Sequence, residues 1–327
     1  MKKLKLITVI LLFGIALNAQ NSDKLNALAT EGVGYYKILT NKKGPIKIPF
    51  TMHNGKTLMA LEINGKKATM MIDNGVLWDQ VWLFGSPLVD ELKLKPMEDA
   101  TIGGAGEGDP TQAYTSENLT LKFDDIVFYE QPVLVSPPAA GFYRMFPGAD
   151  GQLCNTFFKH FIVEFDFINN EVILHNPEQF QYKGNGSILN MQENEIGSYS
   201  VPFAFEISDD KAYTDRVDID FGGIHSLKIA LDNKYNIQLP ADVKEIFSYG
   251  AQGKSTEYSG KIKSLTIGRY KFNNPKVAFG DGKTSRIHPE NMGVIGLPLF
   301  MKFNIIFDYY NNKMYIEPNE NFDKPLE

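Results

Sequence analysis

The residues best suited to chemistry are two aspartates, Asp73 and Asp232, each of which ends an apolar stretch that follows a glycine turn. Two carboxyl groups held close together cannot both ionise cheaply, so the pKa of one rises and the pair shares a proton. The ionised carboxylate then polarises a water molecule, while the protonated carboxyl donates a hydrogen bond to a carbonyl group. This pattern predicts hydrolysis by a water molecule activated between Asp73 and Asp232.

Asp220 is the alternative second aspartate, because Asp220-Phe221-Gly222 has the Asp-x-Gly pattern that Asp232-Asn233-Lys234 lacks. That pattern alone is weak evidence in a chain rich in both residues. When the two halves of the chain are aligned, Asp220 falls opposite Glu62, before a hairpin turn rather than after it. We therefore expect Asp232 to be the partner of Asp73. The alternative that the aspartates only cap turns at strand ends stays open.

The elements that position these aspartates occur twice in the chain. Residues 151–174 align without gaps to residues 293–316, and seven of the 24 aligned positions are identical. Composition alone would supply roughly one or two matches. Short alternating strands dominate elsewhere and long periodic helices are scarce, which predicts a mainly β protein.

The duplication predicts two homologous β-rich lobes. We place the first lobe at residues 45–178 and the second at residues 195–327, with a polar linker at 179–194. One aspartate from each lobe would then face the other across a pseudo-twofold axis. Both lobes lie on one chain, so we expect a monomer to suffice for a complete site.

The beginning of the chain has the pattern of a secretory signal peptide. Residues 1–19 combine a basic start, a short apolar run and a small residue at Ala19. The apolar run has roughly 12 residues, whereas about 20 are needed to cross a bilayer. We expect cleavage near Ala19, no membrane span in the mature chain, and an extracytoplasmic location: periplasm, cell surface or medium. Residues 20–44 read as a polar lead segment with little to pack against, or as a pro-segment.

Charge and cysteine content exclude several classes of function. The formal net charge is −6, and loss of the three lysines of the signal peptide makes it −9, which argues against nucleic acid as a partner. Cys154 is the only cysteine, so an intrachain disulfide is impossible and a cysteine-based metal site is not expected. The five histidines have no metal-ligand spacing. We expect no metal and no organic cofactor.

The sequences 68–75, 150–158, 227–233 and 293–300 together resemble the bilobal aspartic proteases, in particular their retropepsin-like bacterial relatives. That family repeats an apolar-apolar-Asp-Thr-Gly motif and a later apolar-apolar-Gly motif in each lobe. The resemblance covers nearly the whole mature chain. It implies two homologous β-barrel-like lobes with a cleft between them, and an aspartic-type endopeptidase that binds an extended polypeptide in that cleft.

Both aspartate motifs depart from the family pattern. Asn74 and Asn233 replace the hydroxyl residue that follows the aspartate, and Lys234 replaces the glycine that is kept as Gly75. A lysine at that position would pair with Asp232 and hold it ionised, which opposes proton sharing. These departures favour the alternative function, a catalytically inactive peptide-binding protein of the cell envelope with the same fold.

A glycine-rich segment is the candidate for the flap that covers the cleft in this family. Gly103 and Gly104 would permit the flap to open, and Tyr114 would supply a polar-tipped lid. The alternative interpretation is a mobile surface loop.

Overall fold

The computed structural model describes residues 34–75, 80–195, 197–231 and 234–326, and it confirms the mainly β prediction. The predicted signal peptide lies outside these residues. The helices are short: α1 (Pro87–Leu92), α2 (Phe142–Met145), α3 (Leu297–Phe300) and a 3₁₀ turn (Pro138–Ala140). Within the described ranges, no helix is long and apolar enough to cross a membrane.

The first lobe is built on a nine-stranded sheet. Its strands are β1 (Tyr35–Ile38), β3 (Thr51–His53), β4 (Lys56–Ile63), β5 (Lys66–Ile72), β6 (Val81–Leu83), β7 (Asp99–Ile102), β8 (Thr111–Lys122), β9 (Ile126–Val135) and β10 (Gly151–Leu153). They are ordered β1-β9-β6-β10-β5-β4-β8-β7, with β3 beside β4. An additional pairing of β8 with β9 curls the sheet toward a barrel.

The second lobe is built on a ten-stranded sheet. Its strands are β14 (Gln192–Glu193), β15 (Tyr199–Ser208), β16 (Lys211–Ile219), β17 (Leu227–Ala230), β18 (Lys244–Gly250), β19 (Gly253–Lys261), β20 (Ser264–Ile267), β21 (Tyr270–Asn273), β22 (Lys276–Gly280) and β23 (Gly293–Ile295). They are ordered β18-β19-β22-β17-β23-β16-β15-β20-β21, with β14 beside β15.

A six-stranded sheet joins the lobes. It contains β2 (Ile46–Pro49), β11 (Ile162–Asp166), β12 (Glu171–His175), β13 (Ser187–Asn190), β24 (Phe303–Asp308) and β25 (Lys313–Pro318), in the order β13-β25-β24-β11-β12-β2. At its centre β11 pairs with β24, so that Val163 lies opposite Phe307 and Phe165 opposite Ile305. In the alignment of the repeated segments Phe165 corresponds to Phe307. The pairing is therefore symmetric about a local twofold axis.

The repeated Asn-Asn turns of this sheet have a conformational reason. Asn170 and Asn312 have φ angles of 55° and 52°, in the left-handed region that asparagine tolerates better than most residues. Each turn is fixed by the aspartate that ends the preceding strand, since Asp166 accepts from the Asn169 amide and Asp308 accepts from the Asn311 amide. The repeated Asp-aromatic-x-Asn-Asn pattern thus encodes the β11–β12 and β24–β25 hairpins.

The strand pairing of the second lobe differs from the alignment that favoured Asp232. In the first lobe β5 runs parallel to β10, and β6 runs antiparallel to it. In the second lobe β16 runs parallel to β23, and β17 runs antiparallel to it. Hence β16 corresponds to β5 and β17 corresponds to β6. The apolar sequence of β17 resembles that of β5, whereas β16 carries the polar residues Asp215, Arg216 and Asp218.

Part of the lead segment is also structured. Tyr35–Ile38 forms β1, which pairs with β9 at the edge of the first sheet. The ring of Tyr36 packs against Phe161 and Phe128, with centroids 4.7 and 6.2 Å away. These aromatic contacts give β1 a place in the first lobe.

Candidate active site

Two aspartates from different lobes lie at the ends of equivalent strands. Asp73 follows β5, and its main-chain N–H donates to the carbonyl of Leu153, 3.0 Å away. Asp220 follows β16, and its N–H donates to the carbonyl of Ile295, 2.9 Å away. Because both parallel strand pairs end where the lobes meet, Asp73 and Asp220 face each other.

Each aspartate motif packs against the carboxyl group of the other. Gly75 touches the Asp220 carboxyl and Gly222 touches the Asp73 carboxyl, so a side chain at either glycine would collide with an aspartate. The two carboxyl groups are close enough to act directly on each other. The Gly75 N–H donates to Asp73 Oδ1 at 2.8 Å and fixes the orientation of that carboxyl. The glycines are therefore required by the close approach of the two motifs.

The electrostatic environment of the two carboxyl groups favours a proton shared between them. Burial and the neighbouring Asp220 charge together raise the pKa of Asp73 to about 7, against the opposing charge of Lys56 and the hydrogen bond from Gly75. Below that pH the pair holds a proton between two oxygen atoms that can donate and accept in turn.

The residues that follow the two aspartates have different roles. Asn74 is buried, and its Oδ1 accepts the main-chain N–H of Phe221 at 2.8 Å while its Nδ2 donates to the Tyr309 hydroxyl at 2.9 Å. Phe221 instead buries its ring between the lobes, with centroids 4.1 Å from Phe165 and 5.9 Å from Phe300. One side of the site is therefore joined by hydrogen bonds and the other by aromatic packing.

The expected partner Asp232 and the neighbouring Asn233 lie outside the described residues. Lys234, which we expected to pair with Asp232, is exposed and lies 2.8 Å from Glu290 and 3.8 Å from Asp215. The lysine that acts electrostatically on Asp73 is Lys56. Among the residues that the structure describes, no cluster of histidine, cysteine, aspartate and glutamate is placed to hold a metal ion.

A sequence signal for Asp220 was present in the spacing of the repeats. Gly151 follows Asp73 by 78 positions, whereas Gly293 follows Asp220 by 73 positions and Asp232 by 61. The interval thus favours Asp220. The hairpin turn before β16 lacks an Asn-Gly dipeptide, which concealed the equivalence with β5.

Two β-hairpins occupy corresponding places in the lobes. We call β7–β8 with its loop 103–110 the first flap hairpin, and β18–β19 with its turn at Ala251-Gln252 the second flap hairpin. Tyr114 lies opposite Val135 in the first, and Tyr258 lies opposite Phe279 in the second. The register of both sheets therefore makes the two tyrosines equivalent.

The tips of the flap hairpins are joined to each other. The Gln252 N–H donates to the Ala105 carbonyl, and the Gly108 N–H donates to the Gln252 carbonyl, both at 2.8 Å. The Gln252 side chain accepts from the Gly104 N–H at 3.0 Å, and Arg286 Nε donates to the Gly104 carbonyl at 3.1 Å. The loop that contains Gly103 and Gly104 thus reaches the second lobe.

Comparison with known proteins supports the architecture and leaves the sequence family open. No family model and no curated protein matches the sequence. The structure is similar to the crystal structure of an aspartic proteinase from Irpex lacteus, with a TM-score of 0.56 and 12% sequence identity over 86% of this chain and 100% of that chain. At this identity the similarity concerns the fold alone. The chain has a bilobal aspartic protease-like fold.

Proposed function

We propose that this protein is an aspartic-type endopeptidase in which Asp73 and Asp220 activate a water molecule for hydrolysis of a peptide bond. The observation that carries the proposal is the close approach of two carboxyl groups, one from each lobe, each packed against the glycine of the other motif, in which the pKa of Asp73 is raised to about 7. A raised pKa in a carboxyl pair is typical of groups that exchange protons during catalysis.

The proposed reaction needs only the pair, water and the substrate. The ionised carboxylate accepts a proton from the water molecule as its oxygen bonds to the carbonyl carbon. The protonated carboxyl donates its proton to the carbonyl oxygen, which gives a neutral tetrahedral diol. The carboxyl that took the water proton then donates it to the amide nitrogen, while the other carboxylate takes a proton from a hydroxyl of the diol. The C–N bond breaks and releases an amine and a carboxylic acid. The pair regains its starting protonation state.

The proposed substrate is an extended polypeptide. The strands β7 and β18 each end the order of their sheets, so each has main-chain groups free to pair along one edge. An extended peptide could form main-chain hydrogen bonds with such edges, which would make binding tolerant of sequence. We further propose that the protein acts as a monomer outside the cytoplasm, after removal of residues 1–19.

The test is cleavage of a peptide library by the purified protein between pH 3 and 9. We expect Asp73→Asn and Asp220→Asn each to lower kcat/KM by at least about 100-fold, because each removes a proton-transfer group. Asp232→Asn is the matched control and is expected to retain activity. Loss of activity in Asp232→Asn together with retention in Asp220→Asn would instead identify Asp232 as the partner of Asp73.

The pH profile gives a second test of the same pair. Because the pKa of Asp73 is raised to about 7, the pair loses its shared proton above that pH and the acid needed for catalysis disappears. We expect kcat/KM to fall about tenfold for each pH unit above 7. Activity that stays constant from pH 7 to 9 would contradict the requirement for a proton shared by Asp73 and Asp220.

The second candidate function is peptide binding without turnover. The observation in its favour is that Gln252 is hydrogen-bonded to the first flap hairpin. These hydrogen bonds give the two lobes a second connection in addition to the shared sheet. Absence of cleavage at every pH, combined with binding of a peptide whose scissile amide is replaced by a hydroxyethylene group, would support this candidate against the peptidase.

A further inference from the structure

Lys56 lies across the sheet from Asp73. The β4–β5 register pairs Leu58 with Met71, and continuing it by two residues places Lys56, the first residue of β4, opposite Asp73. In the second lobe the β15–β16 register pairs Ser200 with Asp218, so the same continuation places Ser198 opposite Asp220. Of these two equivalent positions, the one in the first lobe carries a cation and the one in the second lobe carries a serine.

The contacts of Lys56 join both aspartate motifs. The Lys56 side chain is partly buried, and its Nζ donates to the main-chain carbonyl of Gly222, in the second-lobe motif. Gly222 in turn touches the Asp73 carboxyl. The ring of Phe146 lies 5.7 Å from Nζ and provides a cation–π contact on the other side. A lysine of the first lobe is thus held beside the carboxyl pair by a second-lobe carbonyl.

We propose that Lys56 is a positioning residue of the carboxyl pair, which holds the Gly222 turn against Asp73 and stabilises the pair in its ionised forms. This inference rests on the proposed function. It is consistent with the opposing effect of the Lys56 charge on the raised pKa of Asp73. Lys56 thereby lowers the pH at which the pair loses its shared proton, relative to the pH that burial and the Asp220 charge alone would give.

Other titratable groups also face the pair. Asp218 lies two residues before Asp220 on β16, and burial raises its pKa to about 6, so it adds negative charge near neutral pH. His288, on the loop before β23, faces Asp218 with its positive charge when protonated. Tyr309, which follows β24, is hydrogen-bonded to Asn74, and burial raises its pKa, so it stays neutral. Lys56 thus opposes the combined negative charge of the aspartates.

The test is titration of the aspartate carboxyl carbons by ¹³C NMR in the intact protein, in Asp73→Asn and in three Lys56 variants. Asp73→Asn assigns the Asp73 signal. In Lys56→Met we expect the midpoint of Asp73 to rise by about one pH unit or more, since a nearby opposite charge lowers a carboxyl pKa by about 1–3 units. Lys56→Gln, which keeps a donor without the charge, should show a similar rise, and Lys56→Arg should stay within a few tenths of a unit.

Lys67→Met is the matched control, because Lys67 is an exposed lysine at the other end of the β4–β5 hairpin. It should leave the Asp73 midpoint unchanged. An unchanged midpoint in Lys56→Met and Lys56→Gln would overturn the inference, and if Lys56→Met does not fold, Lys56→Gln against Lys56→Arg decides. Because NMR titration does not require turnover, a shifted midpoint without peptide cleavage would reject the proposed function and leave the inference about Lys56 standing.

Discussion

The two lobes differ in the sheet face that packs beneath the flap hairpins, which we call the flap-side face. In the first lobe it consists of Met71, Trp82, Ala113 and Leu134, which belong to one buried apolar cluster. Strand registers place Asp218, Lys228, Glu257 and Ala278 at the corresponding positions of the second lobe. The same backbone frame therefore carries an apolar face in one lobe and a charged face in the other.

The first flap-side face is stabilised by aromatic packing. The ring of Trp82 makes edge contacts with Phe84 and Phe142, with centroids 5.0 and 4.8 Å away. Its Nε1–H donates to the buried Ser136 hydroxyl at 2.7 Å, so the one polar atom of the ring is satisfied. Burial of large apolar rings of this kind contributes about 1.5–3 kcal/mol for each side chain.

The second flap-side face is stabilised by a buried ionic network. Glu257 is fully buried and lies 2.6 Å from Lys228 and 2.9 Å from His225, and it accepts from the Ser248 hydroxyl at 2.5 Å. Burial alone would raise the pKa of Glu257, but the contacts from His225, Lys228 and Ser248 outweigh it and lower the pKa to about 2. A buried charge is tolerated here because Glu257 is paired with Lys228 and His225 and accepts a hydrogen bond from Ser248. The comparison shows that the same fold can be stabilised either by an apolar face or by a buried ionic network.

The largest expected effect is loss of the central charge of this network. Glu257→Gln leaves the Lys228 ammonium buried without a counter-ion, and removal of one partner of a buried ion pair costs about 3–5 kcal/mol of unfolding free energy. Denaturant unfolding at pH 7 measures the change. The double variant Lys228→Met with Glu257→Leu removes both charges, and it should recover most of the loss because apolar replacement of a whole pair is often neutral.

The pH dependence of this effect has a definite sign. The pKa of Glu257 is about 2 in the folded state and about 4.3 in an unfolded chain, so its contribution is fully present above pH 4.3 and is lost as the pH falls toward 2. Glu257→Gln should remove that part of the acid sensitivity. Equal unfolding free energies for Glu257→Gln and the parent protein at pH 7 would contradict the importance of the ion pair.

A smaller effect of opposite sign is expected at Asp218. Its carboxyl accepts from the His288 N–H at 2.7 Å and from Asn291 Nδ2 at 2.6 Å, but burial still raises its pKa to about 6. The folded state therefore binds this proton more tightly than an unfolded chain with a pKa of about 3.9, and the contribution of Asp218 to stability is lost as the pH rises through 6.

The difference in unfolding free energy between Asp218→Asn and the parent protein should therefore change with pH. Between pH 4 and pH 7.5 it should shift by about 2–3 kcal/mol in favour of Asp218→Asn. Met71→Leu at the corresponding position of the first lobe is the control, and its effect should be the same at both pH values. A pH-independent effect of Asp218→Asn would show that this carboxyl does not change its protonation state in the folded protein.

The smallest expected effect is at Trp82. Trp82→Phe keeps an aromatic ring but leaves the Ser136 hydroxyl without the indole donor, which costs about 1–2 kcal/mol of unfolding free energy. The cost should not change between pH 4 and 8, because the first flap-side face has no titratable side chain among the four residues that define it. A cost that varies with pH would weaken the contrast between the lobes.

The sequence by itself determined the strand-rich class and the repeated segments that form the shared sheet. Strands with alternating apolar residues and Asn-Asn turns depend on local conformation, so they can be predicted without knowledge of the tertiary structure. Asp73 was also predicted from its own hairpin, since Asn64-Gly65 fixes the register of β4 and β5.

Only the tertiary structure shows that Asp220 lies beside Asp73 and that Lys56 contacts the Gly222 turn. The polar residue Asp218 hides the strand character of β16, and it is accommodated by His288 and Asn291, which lie about 70 residues further along the chain. The apolar sequence of β17 looked like the better strand for a catalytic aspartate, yet its place beside β23 makes it the equivalent of β6. Contacts between residues distant in sequence follow from how the strands pair, and local residue patterns do not contain that information.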